Sequence, residues 1–354
     1  MNVIYASDEN YAWLMGISMI SLFENNRECK EINVYLFGDK ISSENEEKLH
    51  AIARQYRRRL EVIDVTRLTL PESLYNERWP MSACSRLFAC ELLPGVEKAL
   101  YLDCDIIVDG SIGELYDLPM GDNILMAVKD CVSSVHKRKI GLQPHDAYIN
   151  TGVLLMDLKK IGAFPMKERI EAFIRDYGSA IMYPDQDITN SIFRGHIGIL
   201  SPEYNVMTQF NQYTYGQLRW IRHPSYYYSR QEIERAKRHA KIFHYTTCML
   251  NVRPWFAASE LYNAHVFNRY MDMSPWKDRQ KSNMRFEGGR YRLMRLLKLL
   301  PDGIMNFSLG MLHAYVKPYY MMIRQSLLNL SGGGRNNVVV VRLCPLREER
   351  RWAA

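Results

Sequence analysis

Two carboxylates stand one residue apart where an apolar run ends, in the stretch YLDCDIIVDG (101–110). Asp103 and Asp105 would raise each other's pKa, at a cost in energy, unless a positive group lies between them. A metal ion, a protein cation or open water could reduce the repulsion between the two carboxylates. Hard oxygen ligands with open coordination positions are typical of Mn²⁺ or Mg²⁺ bound together with a diphosphate. The alternative is a solvated pair at a strand end, because this short pattern often occurs by chance.

A histidine and an arginine in the later stretch KIFHYTTCMLNVRPW (241–255) could complete such a site. His244 ends an apolar, strand-like run, where a lone histidine is more often a structural residue than a ligand. Beside two carboxylates it becomes a candidate third ligand, and imidazole together with carboxylate favours Mn²⁺ over Mg²⁺. Arg253 would supply a fixed cation whose planar fork matches phosphate oxygens.

Two further stretches carry polar residues beside predicted elements. In YPDQDITN, the Pro-Asp start predicts a helix N-terminus, where Asp185 and Asp187 could hold a ligand or only complement the helix dipole. In YINTGVLLMDL, Asn150 and Gly152 precede a predicted strand. The amide of Asn150 could hydrogen-bond a hydroxylated ligand, and Gly152 would let backbone approach closely.

The elements that must position these residues alternate between strand-like and helix-like patterns. This alternation predicts an α/β fold with a parallel sheet and right-handed crossovers. Ligands of such sheets bind beyond the carboxyl ends of the strands, where Asp8 and Asp103 are expected. No glycine-rich dinucleotide motif or P-loop follows a strand, which excludes those two nucleotide-binding classes. The predicted strands are 2–6, 32–38, 60–65, 98–108, 123–130 and 148–158. The predicted helices are 11–25, 82–93 and a third, which begins with a capping box of Ser43 and Glu46 and ends near Arg57.

The positive charge of the chain is concentrated at its C-terminal end. The formal net charge is +7 overall, +8 over 285–354 and about −1 over the remainder. A nucleic-acid-binding protein usually carries its basic residues on the folded body, so no nucleic-acid partner is expected. The seven cysteines are scattered and odd in number, and the first residues show no secretory signal. Both features favour a cytoplasmic protein with reduced thiols.

We predict a body over 1–275, a basic membrane-associating segment over 276–330 and a flexible tail over 331–354 with no assigned role. A helical wheel of 288–301 places leucines opposite basic residues. The longest uncharged run, 303–316, is too short to span a bilayer. This pattern is typical of a helix in the interface of the inner membrane, whose removal would release the protein and leave its activity in solution. The alternative is a helical hairpin packed on the body.

Six stretches of the chain, taken in order, form one recognisable set. They are ASDENYA (6–12), SRL (85–87), DCD (103–105), YINTGVLLMDL (148–158), DQD (185–187) and HYTTCMLNVRPW (244–255). The set resembles family 8 of the retaining glycosyltransferases, and among them the bacterial lipooligosaccharide and lipopolysaccharide galactosyl- and glucosyltransferases. The resemblance covers about residues 1–256, and it implies the GT-A fold, with a central, mostly parallel sheet flanked by helices. The charge and the helical pattern described above add a helical, basic C-terminal appendage to this fold.

The resemblance also implies residues for a UDP-sugar and a metal ion. Tyr11 would stack on uracil, and Asp185, Gln186 and Arg253 would be the catalytic residues. Arg253 stands where the family usually has a lysine before Pro-Trp, Thr247 replaces a glycine, and three extra residues lengthen the loop between them. The implied ligands of Mn²⁺, or of Mg²⁺, are Asp103, Asp105 and His244. The implied nucleotide-sugar contacts are these ligands together with Ala6, Asp8, Asn10, Tyr11, Arg86, Cys104, Asp130, Asn150, Gly152, Asp185, Gln186, Thr247 and Arg253.

The implied activity is transfer of a hexose, with retention, from UDP-glucose or UDP-galactose to a glycan or glycolipid acceptor. A cell-surface glycan such as lipopolysaccharide or capsule, reached at the cytoplasmic face of the membrane, is the expected acceptor. Retention could use Asp185 as a nucleophile or a front-face substitution assisted by the departing phosphate. A haloacid-dehalogenase-type phosphatase also carries D-x-D after a strand, but Ile106 and Ile107 stand where it needs Gly or Thr. A non-catalytic membrane-surface protein on the same fold is the other alternative.

Overall fold

A computed structural model describes residues 1–68, 84–249, 251–283, 297 and 299–330. Strands and helices alternate through most of the chain, as predicted for an α/β fold. The strands are β1 (Asn2–Asp8), β2 (Asn33–Asp39), β3 (Arg59–Asp64), β4 (Lys98–Leu102), β5 (Ile106–Val108), β6 (Leu125–Lys129), β7 (Ile149–Asp157), β8 (Ile197–Ile199), β9 (Val206–Met207) and β10 (Ile242–His244).

Short and long helices lie between these strands and after the last of them. They are α1 (Ala12–Glu24), α2 (Ser43–Gln55), α3 (Ala89–Leu92), α4 (Gly113–Asp117), α5 (Ser134–Arg138), α6 (Leu158–Gly162), α7 (Met166–Tyr177), α8 (Pro184–Ile192), α9 (Thr208–Gln212), α10 (Tyr215–Arg222), α11 (Arg230–Arg238), α12 (Ala264–Asp272), α13 (Asp302–Met311) and α14 (Lys317–Leu330). Single 3₁₀ turns lie at Val65–Arg67, Arg86–Phe88, Gly178–Ala180 and Pro202–Tyr204. A π-helical turn, Leu312–Val316, joins α13 to α14.

Within the described part of the chain, seven strands form one sheet in the order β3-β2-β1-β4-β7-β6-β8. The pairs β3–β2, β2–β1, β1–β4 and β6–β8 are parallel, whereas β7 runs antiparallel to β4 and to β6. The prediction of a mostly parallel sheet is therefore confirmed, with β7 as the exception. A smaller sheet, β5-β10-β9, lies beside it. Both sheets contribute to the region where β4 ends.

The predicted strand over 98–108 is wrong, because two strands of different sheets occupy this stretch. β4 ends at Leu102, and β5 begins at Ile106 and pairs antiparallel with β10. The backbone N–H of Asp103 donates to Gly152 O (2.9 Å), and the carbonyl of Asp105 accepts from Tyr245 N (2.9 Å). These bonds hold the two carboxylates in a turn between the sheets, rather than along one strand.

Three smaller differences from the sequence reading are local. The cap of α2 is Ser42, whose Oγ accepts from Asn45 N (3.2 Å), so the predicted capping role of Ser43 is wrong. The predicted helix 82–93 is a 3₁₀ turn followed by the short α3, and its first two residues lie outside the described residues. Asn150 and Gly152 lie inside β7, not before it.

The large sheet is buried on both faces. Alternate residues of β1 face opposite sides, Val3 and Tyr5 into one apolar cluster and Ile4 into the other. Nearly every residue of α1 is buried, because this helix packs on the first face and carries apolar residues all round its surface. Tyr101 of β4 belongs to the second cluster, which brings its ring to the side of the sheet where Arg86 lies.

The C-terminal helices pack against the body. Gly310 of α13 meets the backbone of α10, since a Cβ there would lie 2.7 Å from Trp220 O and 3.0 Å from Ile221 Cα. Further along, Gln325 Oε1 accepts from Ser179 N (2.9 Å). Most of the predicted amphipathic helix 288–301 and the tail 331–354 lie outside the described residues. Among the residues that are described, none of the helices combines the length and apolar character needed to cross a bilayer.

Replacing Gly310 with alanine is expected to loosen the docking of α13, because its new Cβ would press on backbone atoms that cannot move aside. Overpacking of this kind costs about 1–3 kcal/mol, more than the gain in helix propensity. Gly303→Ala is the matched control, because a Cβ at Gly303 meets nothing within 4 Å. Hydrogen exchange of α13 and α14 should accelerate in Gly310→Ala and not in Gly303→Ala. Equal protection in both variants would contradict this packing.

Candidate active site

Two carboxylates and an imidazole converge where the two sheets meet. Asp103 follows β4, Asp105 precedes β5, and His244 is the last residue of β10. One ligand atom of each residue lies within 4.8 Å of the ligand atoms of the other two. His244 Nε2 lies 3.1 Å from Asp105 Oδ1 and 3.6 Å from Asp103 Oδ2. The register of β10 against β5 places the imidazole opposite the D-x-D turn.

The orientation of His244 is set by an asparagine that sequence reasoning missed. Asn205 is fully buried, and its Oδ1 lies 3.0 Å from His244 Nδ1. Its Nδ2 donates to Asn150 Oδ1 (2.9 Å), so its oxygen faces the histidine. Nδ1 therefore carries a proton and Nε2 faces the carboxylates, which is the arrangement by which proteins orient a ligating imidazole. No sequence pattern marks Asn205, because it is a single polar residue before the two-residue strand β9.

Gly152 leaves room for these three side chains. A Cβ at this position would lie 2.2 Å from His244 Cε1 and 2.8 Å from Asp103 Oδ2. Any larger residue in β7 would push the imidazole or the carboxylate away. Two carboxylates and one imidazole, with space between them, fit a divalent cation of the hard to borderline class, such as Mn²⁺ or Mg²⁺. The donor set is therefore a candidate metal site.

The charges of the cluster are balanced within the protein. Burial opposes ionisation of Asp105, but the His244 imidazole and Arg253 together hold the pKa of this carboxyl below its usual value. Burial likewise opposes the charge on His244, but Asp105 and Asp103 raise its pKa above the ordinary value. Burial raises the pKa of Asp103, although Arg86 acts against it. A metal ion bound here would replace the proton on His244 Nε2.

Arg253 links the carboxylates to the predicted uridine pocket. Its Nη2 lies 3.3 Å from Asp105 Oδ2, and its Nη1 donates to Tyr11 Oη (3.0 Å). The guanidinium also lies over the ring of Trp255, with its carbon 5.2 Å from the ring centroid. This residue thus stands between the D-x-D turn and the start of α1, with a planar donor group of the kind that binds phosphate oxygens.

The end of β1 is held to the D-x-D turn. The Cys104 thiol donates to Ala6 O (3.2 Å), and burial raises the pKa of this thiol. Asp8 accepts from Tyr11 N (3.1 Å) and from Asn10 Nδ2 (3.2 Å). Cys104 is therefore a packing residue in this structure, while Asp8 shapes the turn that leads into α1.

Arg86 joins two of the predicted acidic residues. Its guanidinium lies 3.0 Å from Asp103 Oδ1 and 3.3 Å from Asp185 Oδ2, and it donates to Thr151 O (2.9 Å). The group is buried, and it lies over the ring of Tyr101 at 4.2 Å from the centroid. Asp185, at the start of α8, is thereby held beside the D-x-D turn.

Asn150, Gln186 and Asp130 form a hydrogen-bonded group that we name the amide–carboxylate cluster. Asn150 Nδ2 donates to Gln186 Oε1 (3.1 Å), and Gln186 Nε2 donates to Asp130 Oδ2 (2.8 Å). Gln209, which sequence reasoning missed, donates from Nε2 to Asp130 Oδ1 (3.2 Å). The cluster adjoins the metal site through Asn150 and Asn205. Thr247, by contrast, is exposed to solvent beyond His244.

Comparison with known proteins decides the family. Residues 2–259 match the description "Glycosyl transferase family 8". The chain belongs to glycosyltransferase family 8. The matched range contains Asp103, Asp105 and His244, so the family assignment and the candidate metal site concern the same part of the molecule. Membership supports an enzyme that transfers a sugar from a nucleotide-sugar donor to a glycan acceptor.

Curated relatives of this family 8 chain share about a quarter of its residues. A lipopolysaccharide 1,2-glucosyltransferase of Escherichia coli K12 is 27% identical over 282 residues, which are 78% of this chain and 79% of the relative. A lipopolysaccharide 1,3-galactosyltransferase of Salmonella typhimurium LT2 is 28% identical over 220 residues, 59% of this chain and 64% of the relative. Against a Haemophilus influenzae relative, 28% identical over 212 residues, the chain spans 63% of the relative's length.

A solved structure shows that the family 8 chain has the GT-A fold. The galactosyltransferase LgtC, crystallised with donor and acceptor sugar analogues, superposes with a TM-score of 0.64. The two are 23% identical, and the match covers 83% of this chain and all of LgtC. The predicted fold, with a mostly parallel central sheet and a helical C-terminal end, is therefore confirmed.

The second acid of the DQD motif of this family 8 chain has a different environment from the first. Asp187 is fully buried, with Lys139 Nζ at 2.7 Å and His136 Nε2 at 3.1 Å. It also accepts from Tyr148 Oη (2.6 Å) and from the backbone N–H groups of Met182 and Tyr183. Burial opposes its charge, but these partners, led by Lys139, hold the pKa of its carboxyl far below the usual value. Asp187 therefore anchors the start of α8, which carries Asp185 and Gln186.

Asp187→Asn is expected to destabilise the fold by about 3–5 kcal/mol, because it leaves Lys139 buried without its anion. Because the pKa is depressed in the folded state, the stabilisation is complete above about pH 4 and is lost as the pH falls toward the lower, folded value. Asp185→Asn is the control, since Arg86 keeps Asp103 as a partner. Urea unfolding at several pH values tests this, and similar stabilities of both variants at pH 7 would contradict the anchoring role.

Proposed function

We propose that this chain is a retaining hexosyltransferase that uses UDP-glucose or UDP-galactose and a Mn²⁺ ion. The observation that carries the proposal is the convergence of Asp103, Asp105 and His244 beside Arg253 and Arg86. The acceptor is a saccharide, and a cell-surface glycan such as lipopolysaccharide or capsule is the best candidate. The names of the Escherichia coli and Salmonella relatives support this choice.

Asp103, Asp105 and His244 would hold the metal ion, Mn²⁺ in preference to Mg²⁺ because of the imidazole. When bound, the ion would neutralise negative charge on the departing diphosphate. Arg253 donates to the same end of the substrate with a fixed fork of N–H groups, placed where charge develops. Its present contact with Asp105 Oδ2, at 3.3 Å, has to give way when a diphosphate binds.

The uridine moiety would occupy the turn from β1 to α1. Tyr11 offers a ring for stacking on uracil, while its hydroxyl is fixed by Arg253 Nη1 at 3.0 Å. Asp8 and Asn10 hold the turn that presents Tyr11, and the end of β1 at Ala6 forms the floor. The base and the diphosphate would therefore be bound by residues, Tyr11 and Arg253, that are already in contact with each other.

The sugar would lie against Arg86, Asp185 and the amide–carboxylate cluster. Asp185 Oδ2 accepts from Thr151 Oγ1 (2.6 Å) and lies 3.3 Å from Arg86 Nη1. A carboxylate oxygen engaged in this way is a weak nucleophile, and the amide of Gln186 is weaker still. This favours a role for Asp185 in holding the sugar, and a front-face substitution in which the departing phosphate assists the acceptor hydroxyl. A phosphatase is disfavoured, because Asp103 is held by Arg86 and by Tyr101 Oη (2.9 Å).

We also propose that the enzyme lies at the cytoplasmic face of the membrane, bound through its C-terminal helices. Large apolar side chains recur every three to five residues along the outer side of α13, the π turn and α14, and we name them the apolar stripe. Ile323 is 60% and Leu327 61% exposed. A stripe at this spacing matches a helix that lies in the membrane interface. Its members are Ile304, Phe307, Leu312, Val316, Tyr320, Ile323 and Leu327.

Asp103→Asn is expected to lower kcat for UDP release from UDP-glucose or UDP-galactose by two orders of magnitude or more, because it removes a metal ligand. Calorimetry should show weaker Mn²⁺ binding by the variant, and its circular dichroism should match the wild type. A panel of UDP-sugars with Mn²⁺ identifies the donor, and EDTA should abolish release. Full activity of the variant in EDTA would refute the metal site.

Ile323→Asp and Leu327→Asp are each expected to weaken binding to anionic lipid vesicles roughly tenfold, because an apolar side chain in the interface contributes about 1.5–3 kcal/mol. Ser326→Asp adds the same charge at an exposed polar position of α14 and serves as control. Vesicle sedimentation measures the three variants beside the wild type. Equal losses in all three would show that charge alone matters, and the apolar stripe would then have no part in binding.

A further inference from the structure

The C-terminal helix reaches the edge of the candidate site through its π-helical turn. Pro318 lacks an N–H group, so the carbonyl of Ala314, four residues earlier, loses its helical partner. Ser133 Oγ donates to that carbonyl instead (2.6 Å), and the same Oγ accepts from His136 N at the start of α5. The helix is thus bonded to the loop that follows Asp130. The turn that carries Ala314 is therefore attached to the body by a buried hydrogen bond.

The same turn directs His313 into the body. Its Nε2 lies 3.2 Å from Tyr183 Oη, and its Nδ1 lies 3.3 Å from Arg222 Nη1. Burial, followed by the nearby Arg222 cation, lowers the pKa of His313 to about 2. The ring is therefore neutral, and a neutral imidazole can accept a hydrogen bond from a guanidinium. Tyr183 precedes α8, so the histidine contacts two elements that border the site.

Arg222 connects His313 to the amide–carboxylate cluster. Its Nη2 donates to Gln209 Oε1 (3.2 Å), and Gln209 in turn donates to Asp130 Oδ1 (3.2 Å). Among the described residues, no carboxylate lies within ion-pair distance of this guanidinium. Its direct contacts are neutral acceptors, namely Gln209 Oε1, Cys248 Sγ at 3.7 Å and the imidazole of His313, while Asp130 attracts it from farther away.

We propose that His313 is a positioning residue, which holds Arg222 in place and thereby fixes the side chains that face the donor sugar. The proposal rests on the proposed hexosyl transfer, in which Asp130 and Gln186 adjoin the sugar. It gives the C-terminal helix a second role besides membrane binding, and an enzyme lacking α13 and α14 would not keep full activity in solution. This differs from the sequence-based expectation that removal of the C-terminal segment leaves the activity in solution, and the two make opposite predictions for a truncated enzyme.

The test compares side chains with and without an acceptor at position 313. His313→Asn keeps an acceptor as far from the backbone as Nδ1, which meets Arg222, whereas His313→Leu has the same shape and no acceptor. Ser308→Ala, at an exposed polar residue of α13, is the control for the helix. We expect kcat to fall roughly tenfold to a hundredfold in the Leu variant, since displacements near 1 Å have such effects. The Asn and Ser308→Ala variants should stay close to the wild type.

Two further measurements distinguish positioning from a general loss of structure. Affinity for UDP in the presence of Mn²⁺ should change less than twofold, because His313 does not contact the nucleotide end. His313→Leu combined with Gln209→Leu should lose no more activity than the worse single variant, because both break one chain of contacts. If the Leu variant does not fold, His313→Gln and His313→Met still decide, because Gln keeps an acceptor at the reach of Nε2 and Met has a similar shape without it.

The outcomes separate the inference from the proposed function. If the wild type releases UDP from a UDP-sugar and the Leu variant matches the Asn and Ser308→Ala variants, the inference fails and the proposed function stands. Additive losses in the double variant, or a parallel fall of UDP affinity, would also overturn it. If the wild type turns over no UDP-sugar, the proposed function fails, and the inference falls with it.

Discussion

The site depends on the neutralisation of carboxylates that the fold partly buries side by side. Asp103, Asp105 and Asp185 meet at one edge of the sheet, and burial alone would favour the protonated forms of Asp103 and Asp105. Arg86 bridges the first and the third at 3.0 and 3.3 Å, and His244 meets the second at 3.1 Å. A divalent cation that enters must compete with these internal cations for the same oxygens. The candidate ligands are thus held in place without a metal, and metal binding would be an exchange of partners rather than an assembly of the site.

Each member of the site is fixed by a different element, so the whole fold is needed to bring them together. The D-x-D turn lies between a strand of the large sheet and a strand of the small one, and Gly152 of β7 leaves the space beside it. β10 brings His244, and α8 brings Asp185 and Gln186 because Asp187 is buried beneath its first turn. A substitution at one of these junctions can displace a side chain of the site only if a strand or a helix end is also displaced. Such a displacement is costly in a close-packed interior.

Sequence reasoning predicted the features that follow from a periodic pattern of apolar residues or from a sequence motif. The alternation of strands and helices predicted the sheet, and the D-x-D, DQD and His-to-Trp stretches predicted side chains that the structure brings together. The break at 103–105 was missed because the residues on either side of it, as in KALYL and IIV, are equally apolar, and composition does not reveal which sheet a strand joins. Asn205, Gln209 and Arg222 were missed for another reason. They belong to no recognisable motif, and their positions depend on contacts between segments far apart in the chain.

The C-terminal helix could serve both proposed roles because its two sides meet different surroundings. One side carries His313, Ala314 and Gly310 against the body, and the other carries the apolar stripe. An interfacial helix without contacts to the body would leave the active site independent of the membrane. Here Ser133 bonds the helix to the loop that follows Asp130, so the proposed membrane contact and the proposed positioning of the sugar would act on the same element. Such an arrangement would orient the donor site toward an acceptor that is itself part of a membrane lipid.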